Sequence, residues 1–214
     1  MPGTVAGIDK VELPTENSFE LSAYSNVDWT PSEKISISLG LRYTRFLLLG
    51  DFEEAQYDNE ERENITSIIS YNKGDVVKTY QGLEPRFGMR YKVSKNTSLK
   101  ASYSLTRQYL QNIYNSTTPL PTSRWKTSDA YIAPHVGQTY SLGFYQNLKD
   151  NKIAFSIEGY YRTISNVLDY KPGADFFLQQ FIEKEVVQGK GKTYGLEFSL
   201  EQTKGKVQGW FNYT

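Results

Sequence analysis

Three features of the sequence predict an all-β fold, an antiparallel up-and-down transmembrane β-barrel. They are a repeated alternation of apolar and polar side chains, connections of alternating length, and aromatic residues near the strand ends. The alternation is clearest at residues 35–43, where apolar or aromatic side chains occupy the odd positions, and it recurs at 87–93, 99–105, 153–161 and 194–200. Because neighbouring side chains of a strand point to opposite faces, each strand has one apolar face. A barrel surrounded by lipid buries many such faces at once.

Eight strands are predicted, joined by short and long connections in turn. The strands are 18–29, 34–48, 81–93, 97–111, 136–148, 152–168, 186–203 and 205–214. The short connections have turn chemistry and are Thr30–Glu33, Ser94–Asn96, Lys149–Asn151 and Lys204–Gly205. The long connections are 49–80, 112–135 and 169–185. Short turns at one end of a sheet and long loops at the other are typical of outer-membrane barrels, whereas a soluble sandwich has short turns at both ends.

Strand length and aromatic position also fit a membrane. A strand with a rise of about 3.3 Å per residue and a tilt of about 40° climbs about 2.5 Å per residue. Tyr43, Tyr161 and Tyr213 then lie about 20–25 Å above the short turns, near the upper edge of an apolar band about 25 Å tall. Trp29 and Tyr91 lie beside short turns and suit the lower edge. The alternative is that aromatic residues simply favour strands.

The cost of placing charge in lipid predicts which face points outward. In the second strand Ile35, Ile37, Leu39 and Leu41 share one face, and Arg42 lies on the other. An Arg or Lys turned to lipid near the midplane costs about 2–4 kcal/mol, so the charged face should line the lumen. The residues that this rule turns inward are Arg42, Arg86, Arg90, Lys92, Lys100, Glu158, Arg162, Glu197 and Glu201. We expect Glu197 and Glu201 to pair with Arg90 or Arg162.

The composition excludes several classes of function. The 24 basic and 24 acidic residues balance, so there is no basic surface for nucleic acid. The sequence has no cysteine, which excludes a disulfide scaffold, a thiolate metal site and a cysteine nucleophile. No apolar run approaches the roughly 18 residues of a transmembrane helix, and the start lacks the features of a signal peptide. No arrangement of catalytic residues predicts an enzyme, and no cofactor is implied.

Two features are weighed as metal sites. The acidic segment 51–63 could bind Ca²⁺, because hard cations prefer clustered carboxylates. A solvated outer loop also explains these charges and is the preferred interpretation, since no glycine lies at the turn position of a calcium loop. His135 is the single histidine, and a metal centre or a catalytic triad needs further ligands or partners near it. We therefore expect His135 to be a surface or loop residue.

The long loops carry the recognition chemistry that the sequence contains. Segment 112–135 holds Tyr114, Trp125 and Tyr131 together with three prolines between 119 and 134. Segment 169–185 contains Phe176 and Phe177. Aromatic loops stiffened by proline suit the capture of an amphipathic ligand, and they equally suit packing on one another. The sequence leaves both interpretations open for Trp125 and Tyr131.

An ordered set of short motifs resembles the barrel of TonB-dependent outer-membrane receptors. The motifs are Asn26–Ile35 running into Gly40-Leu41-Arg42-Tyr43, Pro85–Tyr91, Ile132-Ala133-Pro134 with Gln138–Gly143, Gly159-Tyr160-Tyr161-Arg162 with Asn166-Val167-Leu168, and Tyr194-Gly195-Leu196-Glu197. Together they cover the chain from about residue 18 onward. His135 and Ser141 stand where that family commonly has Glu, which weakens any role transferred to that strand.

The resemblance implies a function as well as a fold. Residues 1–214 would be a partial barrel, about eight of roughly 22 strands, without the plug domain or the segment that contacts TonB. The intact protein would lie in the outer membrane lipid of a Gram-negative bacterium and import a scarce small nutrient, such as an iron chelate (siderophore). Two alternatives stay open: a small passive porin-like or adhesin-like barrel closed by eight strands, and a soluble β-sandwich that binds carbohydrate.

Overall fold

The structure, a computed structural model, describes residues 15–113, 124–174 and 179–214. Within these residues the chain forms twelve strands and one short 3-10 helix, Ile182–Lys184. The strands are β1 (Asn17–Ser32), β2 (Ile35–Leu49), β3 (Phe52–Tyr57), β4 (Ile65–Tyr71), β5 (Val76–Lys92), β6 (Thr97–Gln108), β7 (Leu110–Ile113), β8 (Arg124–Thr127), β9 (His135–Leu148), β10 (Ile153–Tyr170), β11 (Val186–Gln202) and β12 (Gly209–Tyr213). No helix in this described part of the chain is long and apolar enough to cross a membrane.

Eight of the strands form one antiparallel sheet. Their order is β1-β2-β5-β6-β9-β10-β11-β12, so the strands of this sheet lie side by side in the order in which they follow one another along the chain. Among the described residues β1 pairs only with β2, and β12 only with β11. The sheet is therefore open, and the alternative of a barrel closed by these eight strands is wrong for this structure. The sandwich alternative is wrong as well, because the other sheets among the described residues are two-stranded hairpins, too small to form a second layer over the large sheet.

All eight predicted strands are present, with shifted ends. β5 begins at Val76 rather than at 81, because its first residues continue to pair with β2, where Phe46 lies opposite Tyr80. β6 ends at Gln108 rather than at 111, because the chain leaves the sheet there and Tyr109 stacks on Phe46. The last strand begins at Gly209 rather than at 205. β5 is therefore longer than predicted, β6 and the last strand are shorter, and the segment after β6 folds back onto the sheet.

Two predicted loops contain hairpins that the sequence analysis missed. Strands β3 and β4 pair within 49–80, with Phe52 opposite Tyr71. Strands β7 and β8 pair within 112–135 and just before it, with Leu110 opposite Thr127. The predicted outer-loop residues Tyr114, Phe176 and Phe177 lie outside the described residues, as do residues 1–14.

The register of the sheet assigns alternate residues to two faces. One row runs through Arg90, Lys100, Gly143, Glu158 and Glu197, which are directly opposite one another on five adjacent strands. We call this side the charged face, and the side that bears Leu39, Phe87, Leu142 and Leu196 the apolar face. The charged face carries Arg42, Arg86, Arg90, Lys92, Lys100, Glu158, Arg162, Glu197 and Glu201.

Aromatic residues form two rows on the apolar face. Tyr103, Tyr140, Tyr161 and Tyr194 are opposite one another on four adjacent strands, in the half of the sheet nearer the hairpins. Nearer the short turns, phenylalanine rings make edge-on contacts across β9 to β12, with centroid distances of 6.2, 5.2 and 6.1 Å. Such contacts add stability beyond the area that they bury. The apolar face is thus banded by rings at two levels.

The buried core lies at the hairpin end of the charged face. Phe46, Leu48 and Tyr109 are buried together there, and Phe52 and Tyr80 pack against them. The rings of Phe46 and Tyr109 are stacked, with centroids 4.9 Å apart and planes 2° apart. This cluster attaches the two hairpins to the wall of the sheet, so the hairpins cover the charged face at that end.

Candidate functional site

The middle of the charged face forms a concavity of about 510 Å³ in which charges of both signs meet. Its lining includes Arg90, Lys100, Tyr145 and Glu158. The Lys100 ammonium lies 4.1 Å from the centroid of the Tyr145 ring, and the Tyr145 hydroxyl donates a hydrogen bond to the Glu158 carboxylate. Tyr145 therefore links the Lys100 cation of β6 to the Glu158 carboxylate of β10.

Glycine is required beneath the ring of Tyr145. A side chain at Gly143 would place its Cβ 2.7 Å from Tyr145 Cε2, which is closer than real Cβ contacts come. The outer end of the ring lies over Gly143, so a larger residue there would displace Tyr145. Gly143 thus holds Tyr145 where it reaches both Lys100 and Glu158.

A second concavity of about 370 Å³ lies between Arg42 and Arg86. Arg42 donates hydrogen bonds to Glu20 at 3.0 Å, to Ser22 at 2.8 Å and to Thr44 at 3.1 Å. Arg86 has no ion pair to any described residue. Because guanidinium groups bind carboxylates and phosphates in a planar, bidentate geometry, a free arginine here can receive an anionic group.

The expected ion pairs of Glu197 and Glu201 are not formed among the described residues, so that prediction is wrong. Glu197 lies four strands away from Arg90 along the register, which at about 4.8 Å per strand is about 19 Å. Arg162 is opposite Thr193, four residues from Glu197 and so about 13 Å from it. It donates instead to Thr139 Oγ1 at 3.1 Å. Glu197 faces Glu158, and two carboxylates are left side by side.

At the hairpin end, a buried lysine joins β8 to the segment that precedes β1. The Lys126 side chain is 3% exposed and forms ion pairs with Glu16 and with Asp129, the latter at 2.7 Å. Glu16 also accepts hydrogen bonds from the Thr127 backbone N–H at 2.7 Å and from its hydroxyl at 2.6 Å. Asp129 accepts from the N–H of Tyr131 and Ile132, so both carboxylates are fixed in place.

The pKa values of Lys126 and of Glu183, a buried residue of the 3-10 helix, reflect these contacts. Burial lowers the pKa of Lys126, but Asp129 and Glu16 outweigh burial and hold it above its ordinary value. Burial raises the pKa of the Glu183 carboxyl, and the nearby Lys126 opposes this only in part. Lys126 is therefore a permanent buried cation that is held by more than one carboxylate.

Further contacts tie the hairpins to the 3-10 helix. The Tyr57 hydroxyl donates to Glu183 at 2.9 Å, and Arg62 donates to the Val186 carbonyl at 2.6 Å. The Tyr131 ring packs edge-on against Tyr57, with centroids 5.1 Å apart. Tyr131 thus packs against another loop, as one of the two open interpretations has it. Trp125 differs, because 59% of it is exposed.

A pocket of about 450 Å³ opens among these hairpins. Its lining contains Glu16, Asp51, Glu53 and Glu183 with a single cation, Lys126. It lies apart from the two concavities of the charged face, whose linings share no residue with it. Arg42 and Arg86 thus line one concavity of the charged face and Arg90 and Glu158 line the other, while Trp125 and Tyr131 line none of the three.

Sequence reasoning missed Tyr145, Lys126, Glu16 and Glu183. For Tyr145 a signal was available, because its odd number places it on the charged face of the predicted strand 136–148. For Lys126 and Glu16 none was available, since 110 residues separate them along the chain. Contacts between distant loops depend on the whole sheet and leave no local pattern.

The structure bears on the two features that the sequence analysis weighed as metal sites, His135 and the acidic segment 51–63. His135 begins β9 and is half-buried, and its Nε2 is buried without a hydrogen-bond partner among the described residues. The expectation of a surface or loop histidine is therefore wrong. The Ca²⁺ alternative for segment 51–63 gains no support, since within the described residues no three or more acidic or histidine side chains converge to hold a metal ion.

Comparisons with known proteins give a family and a fold. A family model described as "TonB dependent receptor-like, beta-barrel" matches residues 3–214. No curated protein matches the sequence. Among solved structures, the FrpB iron transporter from Neisseria meningitidis (F5-1 variant) matches with a TM-score of 0.60 at 16% identity, over 94% of this chain and 26% of that one.

Two further solved structures show the same fold. The ferripyoverdine receptor of Pseudomonas aeruginosa, bound to ferripyoverdine, matches with a TM-score of 0.56 at 16% identity, over 92% of this chain and 23% of that one. A double mutant of the Serratia marcescens hemophore receptor HasR, in complex with its hemophore HasA and heme, also matches. Its TM-score is 0.56 at 15% identity, over 90% of this chain and 33% of that one. This chain thus spans a third or less of the length of these proteins.

Proposed function

Because this chain belongs to the family of TonB-dependent receptor-like β-barrels, we propose that it is a segment of an outer-membrane receptor that takes up a scarce nutrient. The nutrient is an iron chelate, such as a siderophore or heme. The names of the similar structures support this choice, since they include an iron transporter, a ferripyoverdine receptor and a hemophore receptor. The family consists of transporters and receptors rather than enzymes.

One observation carries the proposal: the sheet has a charged face and an apolar face, and both are largely uncovered. A soluble protein would bury the apolar face against a second layer. A membrane-spanning sheet instead turns that face to lipid and the charged face to a lumen. Exposed apolar side chains on β9 and β11 and the aromatic rows at two levels fit this orientation.

The charged face has the chemistry for contact with a polar or anionic cargo. Cations on β5 and β6 and carboxylates on β10 and β11 share the charged face with β9 between them, and Arg86 is free to bind an anionic group. In the intact receptor, a plug domain would fill this lumen and TonB would supply the energy for its rearrangement. Arg42, Arg86, Arg90, Glu158, Arg162 and Glu197 are proposed to contact the plug or the cargo, and Trp125 and Tyr131 to belong to the entrance.

Growth under iron limitation tests the proposed uptake. In the bacterium that encodes this chain, disruption of its gene should abolish growth on one ferric chelate as the sole iron source, while growth on a ferrous salt is unchanged. Disruption of TonB should cause the same loss of growth. Disruption of both genes should cause no further loss, because both proteins act in one uptake pathway. Unchanged growth on a full panel of ferric catecholates, ferric hydroxamates and heme would contradict the proposal.

Trp125 gives a direct optical test of ligand capture. Its indole is exposed on the β7–β8 hairpin, so an iron chelate bound at this end should quench its fluorescence. The matched variants are Trp125→Phe and Trp210→Phe, since Trp210 lies near a short turn at the far end of the sheet. We expect saturable quenching of the tryptophan fluorescence in the unmodified protein and in Trp210→Phe. In Trp125→Phe most of that quenching should be lost. Equal quenching in both variants would rule out binding near Trp125.

A further inference from the structure

The apolar face contains a shallow groove whose floor is a glycine. Gly159 on β10 lies directly opposite Leu142 on β9 and Leu196 on β11. Because Gly159 has no side chain, these two leucines, 64% and 69% exposed, form the walls of an apolar groove of about 730 Å³. The Leu196 side chain leans over Gly159, since a Cβ there would lie 3.2 Å from Leu196 Cδ2, and the shallow apolar groove that remains suits a hydrocarbon chain.

Tyrosine rings form the end of the groove nearer the hairpins. Tyr140, Tyr161 and Tyr194 line it and are opposite one another two residues beyond Leu142, Gly159 and Leu196. Tyrosine combines an apolar ring with a polar hydroxyl, and it is enriched where the hydrocarbon of a membrane meets the headgroups. This row therefore marks the level at which an acyl chain ends and its headgroup begins.

Beyond the tyrosines the same face carries two exposed lysines. Lys192 lies opposite Thr163, and Lys190 lies opposite Ser165. At about 3.3 Å per residue, the two lysines are about 7 and 13 Å beyond Tyr194 along β11. Ammonium and hydroxyl groups are the donors that a phosphate group accepts from.

No acidic side chain on this face competes for the lysines. Within the described sheet, all carboxylates at paired strand positions fall on the charged face by register, namely Glu20, Asp28, Glu84, Glu158, Asp169, Glu197 and Glu201. Lys190 and Lys192 also have no ion pair to any described residue. They lack a counter-ion within the sheet, and an anion from outside it would supply one.

We propose that this groove and its lysines form a binding site for one anionic, phosphate-bearing membrane lipid. Its acyl chain lies in the groove against Leu142 and Leu196, and its phosphate binds Lys190 and Lys192. The site rests on the membrane orientation in the proposed function, but not on the identity of the nutrient or on TonB. Charge complementarity selects an anionic lipid over a zwitterionic one, and the groove selects a lipid over a free phosphate ion.

Native mass spectrometry of the chain tests the site, with equal amounts of phosphatidylglycerol and phosphatidylcholine added in nonionic detergent. The mass of the retained lipid identifies it. A lysine near anionic headgroups contributes about fivefold, so two should give a preference of about 25-fold for phosphatidylglycerol. The double variant Lys190→Gln with Lys192→Gln should lose that preference. The matched control, Lys204→Gln with Lys206→Gln at a short turn, should keep it.

A second pair of variants tests the groove. Gly159→Leu fills the floor and should reduce the retained phosphatidylglycerol several-fold, while Gly209→Leu, on the same face of β12 with open space around it, should not. Equal retention of both lipids, unaffected by the lysine variants, would overturn the site and leave the proposed function intact. Displacement by inorganic phosphate alone would overturn the role of the groove. Failure to retain either lipid would contradict both the site and the membrane orientation.

Discussion

Replacing Leu39 by Arg should destabilise the membrane-inserted chain by about 2–4 kcal/mol, the cost of an Arg on a lipid-facing strand position near the midplane. Leu39 lies on the apolar face of β2, opposite Val27 and Phe87. It is four residues beyond the first residue of β2, which at about 2.5 Å per residue places it about 10 Å above the short turn. That height is near the middle of an apolar band about 25 Å tall. The free energy of unfolding by urea in lipid vesicles measures the effect.

The adjacent position supplies the control. Ser38 lies on the charged face, opposite Asp28 and Gly88, so an Arg there is next to a carboxylate and in open space. Ser38→Arg should change the free energy of unfolding by no more than about 0.5 kcal/mol, as a surface substitution does. Equal costs for the two variants would mean that the two faces do not differ in environment, and the orientation of the sheet would be refuted.

Replacing Lys126 by Met should have the second large effect, a loss of about 3–5 kcal/mol in the stability of the hairpin end. The variant keeps most of the side-chain volume but leaves Glu16 and Asp129 buried without their cation. Removing one partner of a buried ion pair costs more stability than the intact pair contributes, because the remaining charge stays buried without either its partner or water. Limited proteolysis within residues 109–134 reports this local loss directly.

Lys73→Met is the matched control, because Lys73 is exposed next to β4 and loses the same charge. It should leave the rate of proteolysis unchanged. Lys126→Arg keeps the positive charge and should be intermediate, since a longer planar group must fit the same buried space. If Lys126→Met were cleaved no faster than Lys73→Met, the ion pairs of Lys126 would not hold the hairpins in place.

The strands and the two faces could be predicted from the sequence because both depend on local order. The alternation at 35–43 has a period of two, and the pleat of a strand converts that period into two faces. The register then brought Arg90, Lys100, Glu158 and Glu197 onto one side, as their positions in the alternation require. Strand ends were less predictable, because β5 extends to Val76 only through its pairing with β2.

The hairpins and their contacts could not be predicted, for a different reason. The alternation in Ile65–Tyr71 is weak, so nothing local separates this strand from an outer loop. Lys126 meets Glu16 only once the sheet has brought β8 and the start of β1 together. The expected pairing of Glu197 with Arg90 failed for another reason: the two residues share a face, but three strands lie between them, as the predicted strand order already implied.

Accessibility of single cysteines along β9 is the most direct test of the central claim, that one face of this sheet meets lipid and the other meets water. The sequence has no cysteine, so a label at each position from 139 to 142 and at 144 reports that position alone; Gly143 is left unlabelled because a side chain there would displace Tyr145. In lipid vesicles, nitroxide labels at the even positions should be relaxed mainly by oxygen dissolved in lipid, and those at the odd positions by a water-soluble nickel chelate. Such an alternation of period two would establish the orientation. A uniform response along all five positions, or a folded chain that needs neither lipid nor detergent, would contradict it.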